Sequence, residues 1–483
     1  MRKRRQGPDF TKVRYRRSRK GAKEAVVILL FLLLLAGMGI FGIRYWKELQ
    51  NEKPEENPEG TITVTPMLSP VADENRDPDM RGPYGLWTQP TQPVSATPVP
   101  EDEIWMADFV DTRVPTNVKG IYVTSDAVNN KLDTILEWID STELNTIVID
   151  VKDDDGRLTY MMSGKLIDEF GTARSFIPNM EKFMKTCKEH NIYMIARVVA
   201  FKDPLLVRTV PELGLHLKDG TVYKDNSRLG WLNPMNQTVL DYYVEIAQNI
   251  ADIGFDEINF DYVRFPTEGK VSELVYCDDE NVTKIDAITA AVKYLCEQIR
   301  PMGIYVSADL FGTVIRSTVD QRIVGQDYMA LCQYLDYICP MIYPSHYSYG
   351  YAGIDYPDLE PYKIVSMALS DSNKVLAKIP EYKHRATVRP WLQDFTASYL
   401  KHYMRYGPEE IRAQINATYD SGQTQWMLWN AAVNYTISAM MTEEEADYEF
   451  AHRPTPTPTP TPEVKEPTKM PNSGQYIDSP WKK

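Results

Sequence analysis

The chain has 483 residues, 43% of them hydrophobic, which is enough to bury a large core. Its charge is uneven. The first 23 residues carry eleven Lys and Arg against one acidic residue, so within a total charge of −14 the remaining 460 residues carry −24. A basic end suits an anionic membrane face, and an acidic body argues against binding nucleic acid, whose phosphates need Lys and Arg partners.

An apolar segment follows the basic end. Ala25–Ile43 contains 19 residues without a charge, long enough to cross a bilayer as a helix. Because basic flanks stay in the cytoplasm, we expect residues 1–24 to be cytoplasmic and everything after residue 43 to be extracytoplasmic, in a single-pass protein of the cell membrane. A cleaved signal peptide is the alternative, although the apolar run is long for one and no A-x-A site follows it.

Two segments have compositions typical of disorder. Residues 44–107 are rich in Pro, Glu, Asn and Thr and lack apolar periodicity, which predicts a disordered linker. Residues 453–483 begin with the strict Pro-Thr alternation of Pro454–Pro462, which predicts a stiff spacer ahead of a disordered tail. The folded part of the chain is therefore predicted to span residues 108–452.

Within residues 108–452, short apolar runs rich in β-branched residues alternate with amphipathic helical stretches. The predicted strands are Val118–Thr124, Thr146–Lys152, Ile192–Ala200, Phe255–Phe265, Gly303–Leu310, Tyr337–Tyr343, Thr387–Phe395 and Gln425–Asn430. The predicted helices are Leu132–Ser141, Met180–His190, Asn236–Ile253, Lys284–Arg300, Tyr328–Tyr334, Pro361–Leu376 and Glu409–Ser421. Eight such units predict an α/β fold, a (β/α)₈ TIM barrel. An open doubly wound sheet is the alternative, but the Gly-rich first turn typical of that fold is missing.

Several other chemistries lack their motifs. The sequence contains no H-E-x-x-H, G-x-S-x-G or phosphate-binding P-loop pattern, so neither a metal nor another cofactor is expected. Asp153–Asp155 resembles a calcium loop but lacks the downstream glutamate. The five cysteines are odd in number and contain no C-x-x-C pair, which argues against a disulfide framework. Four of them lie in apolar patterns and are predicted to be buried thiols: Cys187, Cys296, Cys332 and Cys339.

The carboxyl ends of the strands are where TIM barrels keep their active sites. Side chains alternate along a strand, so Glu257, Asn259 and Asp261 of the fourth strand share one face. We predict Asp261 and Asp309 as the catalytic pair and Asp394 as an alternate acid or transition-state stabiliser, because paired carboxyl groups hydrolyse glycosidic bonds. The alternative for Glu257 is a structural role, in which it is buried in the barrel and pairs with Arg197 or Lys152.

A second set of side chains is predicted to bind the substrate. Aromatic rings stack on the C–H faces of sugars, and polar groups bind sugar hydroxyls. Cationic side chains near the carboxylates would also divide acid and base roles between them by shifting their pKa values. The predicted substrate-binding residues are Arg197, Lys202, Trp231, Glu257, Arg264, Tyr343, His346, Trp391, Gln393, Trp429 and Asn430, with Tyr347 as a further aromatic candidate.

Seven motifs follow one another over residues 117–432: NTIVIDVKDDDGRLTY, ARVVAFKDP, WLNP, GFDEINFDYVRFP, VSADLFG, PMIYPSHY and RPWLQDFT. Together they resemble a glycosyl-hydrolase-like family of bacterial proteins. The resemblance implies a TIM barrel behind a signal or anchor. In the larger alpha-amylase-like barrels the nucleophile ends strand four, where Asp261 stands. Their preceding Arg and their Glu after strand five are replaced here by Asn259 and Asp309, while Asp394 matches their strand-seven acid.

Three functions are compatible with these residues. The first is a glycosidase acting on a cell-envelope or environmental polysaccharide. The second is a non-catalytic polysaccharide-binding or wall-organising module, because a fold does not fix a function. The third is another carbohydrate-active enzyme, although the His and Asp metal triad of a deacetylase cannot be assembled from this sequence. The expected partners are a polysaccharide and the membrane; no obligate protein partner is expected.

Overall fold

The computed structural model describes residues 105–106 and 109–453. Parallel strands surround a central axis, with helices on the outside. The strands of the barrel are β1 (Lys119–Val123), β2 (Thr146–Lys152), β3 (Tyr193–Val199), β4 (Glu257–Asp261), β5 (Tyr305–Phe311), β6 (Tyr337–Met341), β7 (Thr387–Val388), β8 (Trp391–Gln393) and β9 (Trp426–Trp429).

The sheet closes on itself. Each strand pairs in parallel with its neighbours, β9 joins β1 with Gly120 opposite Met427, and β8 joins β6 with Trp391 opposite Met341. The strands β7 and β8 together fill the seventh position, which Pro390 interrupts because proline has no N–H to donate to a ladder. This closed parallel barrel of eight positions confirms the predicted TIM barrel and excludes the open sheet.

The helices complete the β/α alternation. They are α1 (Ser125–Ser141), α2 (Lys165–Phe170), α3 (Met180–Glu189), α4 (Pro204–Thr209), α5 (Gln237–Ile253), α6 (Lys284–Ile299), α7 (Thr318–Val324), α8 (Tyr328–Leu331), α9 (Pro361–Leu376), α10 (Pro408–Asp420) and α11 (Glu443–His452). Local sequence sets their ends. Thr283 and Asp286 form a capping box at the start of α6, and Gly254 ends α5 with a φ of 93°, which favours glycine.

Apolar side chains form two separate layers. The larger layer lies between strands and helices and holds the outward-facing strand residues such as Ile147 and Ile258. The smaller layer fills the barrel interior with inward-facing residues such as Val148 and Ile195. The four cysteines predicted to be buried lie in these interiors as free thiols.

The predicted cytoplasmic segment 1–24 and membrane helix 25–43 lie outside the described residues, as do most of the predicted linker 44–107 and tail 453–483. Among the helices that the structure describes, none has both the length and the apolar character needed to cross a membrane.

Candidate active site

An arginine at the carboxyl end of the barrel connects three aspartates. The guanidinium of Arg197, on β3, donates to Asp150 Oδ1 at 2.5 Å and to Asp261 Oδ2 at 2.5 and 3.1 Å. It also approaches Asp154 Oδ2 at 3.4 Å. Arg197 is almost fully buried and needs these anionic partners, because a buried charge without partners is costly. The predicted catalytic residue Asp261 is therefore fixed in orientation by Arg197.

The backbone after Asp261 is in an unusual conformation. Tyr262 has a φ of 54°, in the left-handed region that residues other than glycine seldom adopt. In this conformation the Tyr262 N–H donates to Asp261 Oδ1 at 2.6 Å. Both oxygens of Asp261 thus accept hydrogen bonds from the protein, and the strain at Tyr262 lies where strained residues are often found, next to a candidate functional group.

Asp309 lies on the neighbouring strand β5, and its side chain is 2% exposed. Its Oδ1 accepts hydrogen bonds from Asn259 Nδ2 at 2.9 Å and from Trp391 Nε1 at 2.7 Å. Burial raises the pKa of Asp309 well above its usual value, and the negative charge of Asp261 raises it further. The structure therefore brings Asp261 and Asp309 together, in an environment that opposes ionisation of Asp309.

Two further carboxyl groups border this pair. Burial raises the pKa of Asp150 to about 6 despite Arg197, and Tyr122 donates to Asp150 Oδ2 at 2.5 Å. Burial opposes ionisation of Asp154 as well. The charges of Arg197 and Lys202 outweigh that effect and lower the pKa of Asp154 to about 2. Lys202 donates to Asp154 Oδ1 at 2.8 Å, so the predicted substrate-binding cation has an acidic partner in this structure.

Aromatic rings form one wall beside these carboxyl groups. Trp429 stacks on Tyr122 with a ring separation of 4.1 Å and meets Trp391 edge-on at 5.6 Å. The Arg197 guanidinium lies 5.4 Å from the Trp429 ring. Burial raises the pKa of Tyr343 well above its usual value, and the charges of Asp309 and Asp261 raise it further. Three of the predicted aromatic residues, Trp391, Trp429 and Tyr343, therefore lie next to the carboxyl groups.

Glu257 lies deeper in the barrel and has a different partner from those expected. Its two oxygens accept from Arg389 Nη1 at 2.8 and 2.9 Å, and it also accepts from Tyr193 and Ser307. Neither Arg197 nor Lys152, the partners considered from the sequence, contacts it; Lys152 pairs with Asp203 instead. The expected partners were wrong because Arg389 precedes Pro390 in the broken seventh strand and points inward there.

Three predicted residues at the seventh and eighth positions hold loops in place. Asp394 accepts from Thr436 N at 2.8 Å and from Thr436 Oγ1 at 2.7 Å. The fully buried side chain of Gln393 accepts from Ser345 N and donates to Asp358 Oδ1. Asn430 donates to the backbone oxygens of Asp394 and Asn434. In the part of the chain that the structure describes, none of these three side chains hydrogen-bonds to Asp261 or Asp309.

The remaining predicted residues lie on segments that follow the strands. Trp231 is buried and donates from Nε1 to Asp225 at 3.1 Å. The Arg264 guanidinium lies 4.9 Å from the Trp231 ring and 5.1 Å from the Tyr262 ring. Arg264 and Trp231 both contact Tyr262, the residue that follows Asp261. His346 is exposed and meets Tyr343 edge-on at 5.0 Å, whereas Tyr347 is buried against Tyr351.

Sequence reasoning did not assign Asp150, Asp154 or Tyr122 to the site. Asp150 and Asp154 stand at the end of the second strand, but they occur in an acidic run of the kind that is usually solvated. The alternation of side chains along β2 places Asp150 inward with Val148, and this was the available signal. Within residues 105–106 and 109–453, no group of three His, Cys, Asp or Glu side chains is arranged to hold a metal ion.

Comparison with known proteins gives a family. The family model described as "Putative glycosyl hydrolase domain" matches residues 120–435, from β1 to beyond β9, and confirms the resemblance seen in the motifs. A hypothetical protein from Ruminiclostridium thermocellum is 35% identical over 39% of this chain and 96% of its own, with a TM-score of 0.36. The PgaB (BpsB) glycoside hydrolase domain from Bordetella bronchiseptica is 13% identical over 65% of this chain and 94% of its own, with a TM-score of 0.46. No protein among the curated sequences matches.

Proposed function

The chain belongs to this family of glycosyl hydrolase domains, and from that membership we propose that its barrel hydrolyses the glycosidic bonds of a cell-envelope or environmental polysaccharide. The observation that carries the proposal is the pair Asp261 and Asp309 on adjacent strands. One carboxylate is held in an ion pair by Arg197, and burial and its neighbour's charge raise the pKa of the other carboxyl group well above its usual value. Glycoside hydrolysis needs one ionised and one protonated carboxyl group, and these environments favour that division.

Asp309 is proposed as the proton donor. Its Oδ1 accepts the N–H groups of Asn259 and Trp391, so its proton resides on Oδ2. Transfer of that proton to the glycosidic oxygen lets the bond to the anomeric carbon break, with the bonding electrons leaving on the oxygen. Asp261 supplies the negative charge that stabilises the positive anomeric carbon, either by attacking it directly or by removing a proton from an attacking water.

The aromatic wall and the cations are proposed to orient the sugar. The rings of Trp429 and Tyr343 lie beside the carboxyl groups, and Lys202 and Arg264 stand on the loops that follow β3 and β4. Aromatic faces suit the C–H face of a pyranose, while the polar groups suit its hydroxyls. Binding energy gained here would hold the anomeric carbon near Asp261, which is how positioning contributes to rate.

We also propose that the barrel is anchored outside the cell membrane. The support comes from the sequence alone, in the basic residues 1–24 followed by the uncharged segment 25–43. An anchored barrel on a long linker suits a polysaccharide of the envelope or its surroundings. Protease added to intact cells should digest the barrel and leave a short membrane-bound fragment; protection of the barrel would contradict this orientation.

Reducing ends released from a panel of polysaccharides by the full chain provide the test. Asp261→Asn and Asp309→Asn should each lower the rate about a hundredfold or more, since a positioned acid or base contributes roughly 10²–10⁴-fold. Asp394→Asn tests the third candidate acid, and a similar loss at unchanged stability would assign it a role. Release by none of the proteins, with the wild type still retained on a polysaccharide, would replace the hydrolase by a binding module.

A further inference from the structure

Exposed aromatic side chains cluster on two loops at the carboxyl end of the barrel. One loop follows β6 and carries Tyr349 and Tyr356, which are 44% and 39% exposed. The other follows β8 and carries His402, with the exposed tyrosines Tyr399 and Tyr403 on either side of it. We call Tyr349, Tyr356 and His402 the aromatic platform. Large apolar side chains exposed together in this way usually mark a binding surface.

The rings of the platform contact one another. Tyr356 and His402 are 4.2 Å apart with an interplanar angle of 36°, and Tyr349 meets them edge-on at 5.6 and 5.8 Å. The backbone N–H of His402 donates to the Tyr349 hydroxyl at 3.3 Å, which joins the two loops. The three rings therefore form one surface rather than three independent side chains.

Buried polar contacts beneath the platform fix both loops. Asp358 is 1% exposed and accepts from Gln393 Nε2 at 3.1 Å and from Met404 N at 3.2 Å. Tyr406 donates to the Asp358 backbone oxygen at 3.1 Å. Because the rings stand on loops held in this way, a ligand would lose little free energy in ordering them.

The platform lies at the same end of the barrel as the catalytic pair, and the same two loops carry aromatic residues near that pair. Tyr343, whose pKa the charges of Asp309 and Asp261 raise in addition to burial, meets Phe395 at 5.9 Å and His346 at 5.0 Å. Phe395 and His346 lie on the two loops that carry the platform, one on each. Aromatic side chains next to the catalytic pair and those of the platform thus lie on the same two loops.

We propose that the aromatic platform binds pyranose units of a polysaccharide beyond the unit at the catalytic pair. The C–H faces of the sugar rings would stack on Tyr349, Tyr356 and His402, so the substrate is a polymer rather than a small glycoside. This inference rests on the proposed function for the nature of the ligand. It assigns no chemistry to the platform, so its test needs binding and not hydrolysis.

The test is co-sedimentation of the full chain, in detergent, with chitin, cellulose and peptidoglycan sacculi. Removing one stacking ring should weaken binding about fivefold, equivalent to about 1 kcal/mol. The double variant Tyr349→Ala, Tyr356→Ala should therefore lose affinity by more than tenfold for the polymer that retains the wild type. Tyr356→Phe keeps the ring and should bind like the wild type.

Tyr448→Ala is the matched control. Tyr448 is also an exposed tyrosine stacked on a histidine, at 4.0 Å from His452. It lies on α11, which packs beside the end of α10. Because the chain enters β9 after α10, Tyr448 lies at the opposite end of the barrel from the platform. It should bind like the wild type. Unchanged affinity in the double variant, an equal loss in the control, or no retention of the wild type on any polymer would overturn the proposal. Lost binding without any hydrolysis would support the platform and refute the proposed enzyme.

Discussion

Trp391→Phe should move the pH dependence of hydrolysis. The Trp391 N–H donates to Asp309 Oδ1 at 2.7 Å and lowers the pKa of Asp309 relative to a site without that donor. A hydrogen bond to an ionised group contributes about 1.5–3 kcal/mol and one to a neutral group about 0.5–1.5. Removing this hydrogen bond therefore destabilises the ionised form of Asp309 more than its protonated form, by about 1–1.5 kcal/mol. That difference raises the pKa of Asp309 by about one unit.

An acid must be protonated to act, so activity falls as the pH rises through the pKa of Asp309. The basic limb of the profile of kcat/KM against pH should consequently move upward by about one unit in Trp391→Phe. Trp426→Phe is the control, because Trp426 is equally buried and donates to the neutral Tyr419 hydroxyl at 3.0 Å. A basic limb that stays in place or moves downward in Trp391→Phe would refute Asp309 as the proton donor.

Two predictions concern stability. Arg389→Met leaves the fully buried Glu257 without its ion-pair partner and should lower the free energy of unfolding in urea by about 3–5 kcal/mol; a loss below about 1 kcal/mol would contradict the ion pair. Burial raises the pKa of Asp150 to about 6, so the folded protein holds this proton more tightly than the unfolded chain. As the pH rises from ~4 to ~6, the free energy of unfolding of the wild type should fall by up to about 3 kcal/mol, and that of Asp150→Asn should not fall in this way. Parallel curves of stability against pH for the two proteins would contradict the raised pKa of Asp150.

The order of the elements could be predicted because the period of apolar residues changes between strand and helix. β2 and α9 have the bounds that the sequence predicted. The pairing of His216–Leu217 with Leu274–Val275 was not predicted, since two short runs separated by more than fifty residues carry no periodicity. The seventh strand was predicted as one piece and is two, because the effect of Pro390 depends on which neighbouring strand would have received its missing N–H.

Only part of the candidate site could be predicted from the sequence. Strand ends predicted Asp261 and Asp309, because the carboxyl ends of parallel strands meet at one edge. The same rule selected Asp394, but local sequence does not show that a strand-end carboxylate will turn to a loop, as Asp394 does toward Thr436. The link from Arg197 to Asp150 spans two strands, and only the register of the sheet makes it visible.

The fourth strand shows how one alternation can serve two purposes. Glu257, Asn259 and Asp261 share the inward face at three depths. At the lowest level, Glu257 is fully buried and pairs with Arg389. In the middle, Asn259 donates to Asp309. At the open end, Asp261 is 7% exposed and pairs with Arg197. An ion pair enclosed at the lower level cannot reach a substrate, whereas a carboxylate at the rim can. The depth of each residue in the barrel, more than its chemical type, therefore separates the structural acid from the candidate catalytic one.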